Sequence, residues 1–179
     1  MRPDEIIPIY IVAGFLDSGK TSLIQNMLDD DSFSRGQKTL LIVCEEGNEE
    51  FDEKKLAKQN VYLHMVDGEE EMTPTLFVEL NRQIKPERVI MEYNNVFKFA
   101  KLNTMQLPSR WELVQVITMV DATTYENYMN NMRQLMTDPM QNSDLILFNR
   151  VERATQWCSR SQRVLSAVSR AVFTRPGSA

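Results

Sequence analysis

Eight consecutive residues, Gly14-Phe15-Leu16-Asp17-Ser18-Gly19-Lys20-Thr21, combine residue types at a spacing that binds phosphate. Two glycines flank four residues, so the backbone can curl with successive N–H groups turned inward, a concavity that a side chain at either glycine would obstruct. Lys20 then reaches the β- and γ-phosphates of a nucleotide, and the Thr21 hydroxyl is placed to ligate Mg2+. Gly14, Ser18, Gly19 and Ser22 complete the candidate binding set, while Asp17 and Lys20 are the candidates for the chemistry itself. Asp17 would orient a loop amide or an attacking water. A nucleoside triphosphate is the first-choice ligand.

Such a loop needs a strand before it and a helix after it. The apolar stretch Ile6 to Ala13 supplies the strand, and Leu23, Ile24, Met27 and Leu28 fall at helical spacing directly behind Thr21. The helix N-terminus adds its positive dipole end to the site. Further short stretches rich in Val, Ile and Leu run from Thr39 to Cys44, Val61 to Val66, Arg88 to Met91, Leu113 to Asp121 and Leu145 to Asn149, with a final strand at Ala171 to Thr174. Amphipathic segments, Leu76 to Ile84 and Tyr125 to Met136, lie between them. That alternation predicts an α/β fold, a mostly parallel central sheet with crossover helices on both faces. Thr73 reads as an N-cap, with Pro74 at the helix start and Pro86 beyond its end.

In a parallel sheet, ligands sit outside the carboxyl ends of the strands. Those ends carry Cys44-Glu45-Glu46-Gly47, Glu92-Tyr93-Asn94-Asn95, Asp121-Ala122 and Asn149-Arg150-Val151-Glu152. Carboxylates and amides therefore recur along one edge, as a Mg2+-phosphate site and a base-recognition loop require.

The 179 residues suffice for one domain with a real core, and the whole chain, 1–179, reads as a single nucleotide-binding domain. Composition is that of a soluble protein, 42% hydrophobic and 25% charged, and no apolar run has the length to span a membrane. The charged start, Met1-Arg2-Pro3-Asp4-Glu5, carries no secretory signal, so the cytoplasm is the expected compartment. A net charge of -5 argues against a surface that wraps nucleic acid. Cys44 and Cys158, far apart in the chain, form neither a disulfide framework nor a Cys-x-x-Cys metal site. Residues 151–179 differ from the rest, with five arginines, no lysine and a single acid, Glu152. Two readings of that tail stay open, a basic helix over an acidic body or a truncated or altered C-terminus.

With these motifs in hand, the chain resembles the P-loop GTPases related to CobW, HypB and UreG, a family of metal-handling and cofactor-assembly proteins. The family's Gly-Phe-Leu-Gly-Ser-Gly-Lys-Thr-Thr-Leu is matched by Gly14 to Leu23, with Asp17 and Ser22 as departures. Its Asn-Glu-Phe-Gly-Glu is similar to Cys44-Glu45-Glu46-Gly47-Asn48, and its Pro-Asp-x-Ile-x-Ile-Glu to Pro86 through Glu92. Val116 to Asp121 and Ser143 to Asn149 match two further family segments. The resemblance implies GTP and Mg2+ as ligands, with Thr21, Glu45 and Glu92 on the metal side. It also implies Asn149 and Glu152 as base readers, the carboxylate accepting from the guanine ring N–H and exocyclic amine together. It further implies slow GTP hydrolysis and a protein partner, for which a metalloenzyme is one candidate, with a homodimer also allowed.

The departures bear on function. The family's Gly-Cys-x-Cys-Cys is replaced by Met65-Val66-Asp67-Gly68-Glu69-Glu70, which removes the soft thiolates suited to Zn2+ or Cu(I). Its Thr-Ser-Gly loop becomes Tyr93-Asn94-Asn95, its Asn-Lys-x-Asp becomes Asn149-Arg150-Val151-Glu152, and no counterpart of its separate C-terminal domain is expected within residues 1–179. Three functions follow as alternatives: a slow GTPase, a nucleotide-binding interaction module without significant hydrolysis, and an ATP-dependent small-molecule kinase. His64 reads as a structural histidine, and Cys44 as a small buried hydrophobe rather than a ligand beside Glu45 or Glu46. Met129, Met132 and Met136 read as core or partner-facing surface, and Glu69-Glu70-Glu71 as a solvated loop.

Overall fold

The computed structural model describes residues 5–44, 51–97 and 104–154. Glu45 and Glu46, the Arg-rich segment beyond 154 and the strand expected at Ala171 to Thr174 lie outside the described residues.

Among the described residues, six strands form one sheet: β1 (Ile7–Gly14), β2 (Thr39–Val43), β3 (Val61–Met65), β4 (Arg88–Asn94), β5 (Trp111–Asp121) and β6 (Leu145–Asn149). Their order is β3-β2-β4-β1-β5-β6, and every pairing is parallel. The helices are α1 (Lys20–Asp29), α2 (Asp31–Ser34), α3 (Glu53–Lys58), α4 (Pro74–Ile84), α5 (Tyr125–Asn131) and α6 (Arg133–Gln141), with a short 3-10 turn at Val151–Arg153.

Strand alternation divides the core. Ile7, Ile9, Ile11 and Ala13 of β1 face one side with Leu40, Ile42, Val89 and Met91, covered by Phe77 and Leu80 of α4. Val12 faces the other with Leu41, Val43 and Ile90, covered by Ile24 and Leu28 of α1 and Leu56 of α3. A third cluster joins Val120, Ile146 and Phe148 to Tyr125, Met136 and Met140 beneath the β5–β6 edge. Strands buried on both faces explain why the sequence shows continuous apolar runs instead of alternation.

Three expectations need correction. The fourth strand runs past Met91 to Asn94, and the fifth begins at Trp111, two residues before Leu113. Pairing of Gly14 with Asn94 and of Ile7 with Trp111 draws both strand ends into the sheet along the full length of β1. The segment Tyr125 to Met136 is two helices, broken at Met132, whose φ of -136° leaves the helical region. The break lets Tyr125 and Met136 enter the same apolar cluster while Met132 stays 48% exposed. The short helices α2 and α3 carry too few turns to show a period. Thr73 does cap α4, its hydroxyl accepting from the Leu76 N–H at 3.2 Å, with Pro74 in the first turn.

At the far end of the sheet, Arg88 is 2% exposed and ties β4 to α2. Its guanidinium donates to the Thr39 hydroxyl at 2.8 and 3.2 Å and to the Phe33 and Ser34 carbonyls at 2.6 and 3.4 Å, and it lies 4.2 Å from the Phe33 ring centroid. A planar fork meets several acceptors at once there. Burial pulls its pKa down, opposed by nearby Tyr10 and Glu87.

Candidate functional site

Because every strand is parallel, their carboxyl ends share one edge. The register sets Gly14 beside both Asn94 and Met119, and Asp121 beside Asn149. The loop after β1, the turn after β4, and the ends of β5 and β6 therefore meet above the centre of the sheet, the crevice that the sequence pointed to.

The loop is held at Gly14. Its φ of +153° belongs to glycine, and a Cβ there would meet Ser18 Oγ at 2.5 Å and the Met119 carbonyl at 2.6 Å. Its N–H donates to Asn95 Oδ1 at 2.8 Å, and its carbonyl accepts from Lys20 Nζ at 3.0 Å. Lys20 Nζ also donates to the Phe15 carbonyl at 2.9 Å, so the ammonium lies across the mouth of the loop, 3% exposed. Gly19, at φ +99°, opens α1 and packs against β6, where an added Cβ would meet Asn149 Nδ2 at 2.5 Å. Phe15 stacks on Tyr128 of α5 with centroids 4.1 Å apart and ring planes 1° from parallel.

Thr21 and Glu92 come together. The Thr21 hydroxyl donates to Glu92 Oε1 at 2.9 Å, and both residues are more than nine-tenths buried. A hydroxyl and a carboxylate form a hard oxygen donor set of the kind Mg2+ takes, since that ion keeps most of its waters and needs only one or two protein oxygens. Two further polar atoms fit an anion in the loop. Ser18 Oγ and Asn95 Nδ2 are buried with no hydrogen-bond partner among the described residues. The residues present fit both a phosphate chain and Mg2+. Ser22 lies in the first turn of α1, half-buried, and Glu45 lies outside the described residues.

The β6 end closes the loop from the other side. Asn149 Nδ2 donates to the Ser18 carbonyl at 3.1 Å, and its Oδ1 accepts from the Arg150 N–H at 2.9 Å. Arg150 Nη1 donates to the Asp17 carbonyl at 2.7 Å and forms an ion pair with Asp121 Oδ2. Asp17 itself sits at φ +59°, a left-handed conformation that aspartate tolerates better than most side chains. Glu152 is not drawn into this network. Its side chain is 59% exposed, with Oε1 3.7 Å from Arg153 Nε.

Burial opposes ionisation of Asp121, but hydrogen bonds from the Thr123 side chain and backbone and from Arg150 outweigh it. Its carboxyl is held below the ordinary value of 3.8. A carboxyl depressed in the folded state contributes stability above the unfolded pKa, and that contribution disappears as pH falls through the folded value. The stability difference between wild type and Asp121→Asn will therefore stay constant from neutral pH down to about 5 and shrink below the ordinary carboxylate range. Urea unfolding of both proteins across that range checks this; a constant gap down to pH 2.5 would remove the ion pair from the account.

From spacing and strand ends, sequence reasoning places the loop, Glu92 and Asn149 at one edge of the sheet, where the structure also has them. It missed Asn95 as a partner of Gly14, Asp121 as the anchor of Arg150, and Tyr128 as the platform for Phe15. The strand-end rule had marked Asn95 and Asp121 by position. Nothing in spacing alone joins residues separated by 81 or 29 positions. Cys44 lies in the apolar core with its sulfur 3.4 Å from Met72 Sδ, as a small hydrophobe would. Among the described residues, no group of three or more His, Cys, Asp or Glu side chains is arranged to hold a metal ion, and no helix is long and apolar enough to cross a membrane.

The family model described as the CobW/HypB/UreG nucleotide-binding domain matches residues 8–174. No curated protein sequence matches the chain significantly. Among solved structures, the Zn(II)-bound YjiA GTPase from E. coli is similar at TM-score 0.67 and 20% identity, over 98% of this chain and 59% of that one. The hydrogenase maturation factor HypB from Archaeoglobus fulgidus is similar at TM-score 0.61 and 13% identity, over 97% and 83%. FlhF complexed with GMPPNP and Mg2+ is similar at TM-score 0.57 and 16% identity, over 98% and 68%. The chain thus spans about three-fifths of the YjiA chain, and these likenesses establish a shared P-loop fold.

Proposed function

The chain belongs to the CobW/HypB/UreG family of nucleotide-binding domains, and on that basis we propose that it is a Mg2+-dependent GTP-binding protein that hydrolyses GTP slowly. The observation that carries the reading is the buried Thr21–Glu92 hydrogen bond of 2.9 Å beside a glycine-framed loop whose lysine spans its mouth. Lys20, Ser18, Gly19, Thr21, Ser22 and the loop amides would hold the phosphate chain. Thr21 and Glu92, with Glu45, would hold Mg2+, which would supply charge neutralisation at the phosphates. Phosphoryl transfer needs positioning and charge stabilisation more than covalent chemistry, so this inventory suffices for slow turnover. Lys20 would stabilise charge developing on the terminal phosphate, and Asp17 would orient a loop amide or the attacking water. Asn149 and Glu152 would read guanine, with Glu152 turning from Arg153 towards the base.

In this reading the domain acts in the cytoplasm as a nucleotide-dependent switch for a protein partner, a metalloenzyme being the proposed class. The partner, not thiolates of this chain, would receive the metal or metal cofactor. The likeness to a Zn(II)-bound GTPase and to a hydrogenase maturation factor supports that direction. One specific observation favours a second reading, binding without significant turnover: Tyr93-Asn94-Asn95 and Asn149-Arg150-Val151-Glu152 stand where the family has its Thr-Ser-Gly and Asn-Lys-x-Asp loops, and the Asn95 side chain is engaged on the Gly14 N–H. Single-turnover hydrolysis separates the two. A rate above that of free nucleotide supports the GTPase; intact binding with no acceleration supports the module.

Glu92→Gln keeps an acceptor for Thr21 while removing the charge that would face Mg2+. The Mg2+-dependent gain in affinity for a non-hydrolysable GTP analogue will fall by about tenfold or more, roughly 1.4 kcal/mol. Affinity without Mg2+ will hold or improve, since a negative charge near the phosphates is lost. Titrations with Mg2+ and with EDTA measure both, and an unchanged Mg2+ effect would take Glu92 off the metal.

A further inference from the structure

Resting on the proposed nucleotide site, we propose that Tyr128 is a positioning residue for the phosphate loop: its ring holds Phe15, and through Phe15 it sets how long a bound nucleotide stays. Of the four residues between Gly14 and Gly19, Leu16 is 47% exposed, Asp17 is exposed and Ser18 is polar. Phe15 is the apolar side chain that seats the loop against a core cluster. Its ring lies on Tyr128 of α5 with centroids 4.1 Å apart and planes 1° from parallel. Such an aromatic pair contributes beyond the area it buries.

The Phe15 peptide is where this contact meets the ligand side of the loop. Its carbonyl accepts from Lys20 Nζ at 2.9 Å and from the Ser18 N–H at 3.2 Å. In the nucleotide complex, phosphate oxygens would take Lys20 from the Gly14 and Phe15 carbonyls, so the charged tether of that peptide is given up on binding. The ring stack is then what keeps Phe15, and with it the amides that follow, in place around the phosphates. A loop held by few buried contacts opens at low free energy, and changes in how firmly a ligand is held act mostly on its dissociation rate.

Tyr128 is itself fixed by its helix. Its N–H donates to the Thr124 carbonyl at 3.1 Å, and its carbonyl accepts from the Met132 N–H at 2.7 Å, which closes α5 at the break before α6. Phe15, Tyr128 and Val151 all pack against the cluster beneath the β5–β6 edge. Val151 opens the 3-10 turn directly after Arg150, whose guanidinium reaches the Asp17 carbonyl. The phosphate loop and the β6 end of the site thus rest on one apolar support, and α5 is the helix that carries the loop's share of it.

The test uses the full chain, a fluorescent GMPPNP derivative in Mg2+ and stopped-flow kinetics. Tyr128→Phe keeps the ring and is expected to hold the dissociation rate within about twofold of wild type. Tyr128→Leu and Phe15→Leu each keep an apolar side chain but lose the stack, and each is expected to raise that rate by about tenfold, with the association rate within about threefold. Both remove the same contact, so the double variant is expected to match the single ones and not to reach about 100-fold. Phe77→Leu, in the core beneath α4, reports loss of stability alone: it will lower Tm and leave the dissociation rate as in wild type. Circular dichroism establishes that each variant is folded, and Tyr128→Met replaces Tyr128→Leu if that variant is not. Additive effects in the double variant, an unchanged rate without the Tyr128 ring, or equal acceleration by Phe77→Leu would overturn the role of Tyr128 and leave the nucleotide site standing. Absence of binding by wild type would instead overturn the reading of the site itself.

Discussion

Lys20→Ala will abolish measurable triphosphate binding, weakening it by about 100-fold or more, which corresponds to roughly 2.7 kcal/mol. In the structure the ammonium is 3% exposed and makes two charge-assisted bonds, to the Gly14 and Phe15 carbonyls. Those carbonyls hold the lysine across the loop so that little reorganisation is needed when phosphate oxygens replace them. Hydrogen bonds to a charged group are worth about 1.5–3 kcal/mol each, and a phosphate chain offers the lysine at least two. Loss of folding is not the expected cause, because alanine is a good helix former at the first residue of α1. Calorimetric titration with GTP and ATP analogues, alongside a thermal melt of the variant, tests this. Affinity within threefold of wild type would refute the phosphate-loop assignment, and a wild-type preference for ATP would redirect the guanine reading of Glu152.

The second large effect is on stability. Arg88→Ala will destabilise the fold by about 3 kcal/mol, a drop in Tm of about 6–12 °C for a domain of this size. Two sources add. The Thr39 hydroxyl and the Phe33 and Ser34 carbonyls lose their donor, and a buried group left unsatisfied costs about 1–3 kcal/mol. Truncation also leaves a cavity where the guanidinium packed near the Phe33 ring. Arg88→Lys will recover only part of the loss, because a point charge cannot serve the hydroxyl and two carbonyls in one plane. Chemical denaturation of the three proteins decides it. Equal stability of Arg88→Ala and wild type would mean that α2 does not depend on this anchor.

Both predictions concern residues that the sequence treats very differently. The placing of Lys20 is legible at once, because the glycine-framed motif that holds it spans eight positions along the chain and a local motif records local geometry. Arg88 reads only as the start of a strand, because its partners lie 49 to 55 positions away. The same contrast runs through the site. The role proposed for Thr21 rests on the loop motif, and that proposed for Glu92 on its place at a strand end. Their direct hydrogen bond needed β1 and β4 to be paired in the observed register. The helix boundary at Thr73 was visible because a cap and a proline are adjacent signals. The break at Met132 was not, because it answers to packing of Tyr125 and Met136 against β5 and β6.

By itself, then, the sequence determined the α/β class, the phosphate loop with its helix, and the strand ends from which site residues come. Each of these rests on period, glycine spacing or caps, which are short-range properties of a chain. Only the tertiary structure decided which strand ends meet. Placing β1 between β4 and β5 brings Asn95 to Gly14, Glu92 to Thr21, and Arg150 with Asp121 to the back of the loop. Strand order and register are set by the summed burial of apolar faces on both sides of the sheet, a global balance that no local pattern encodes.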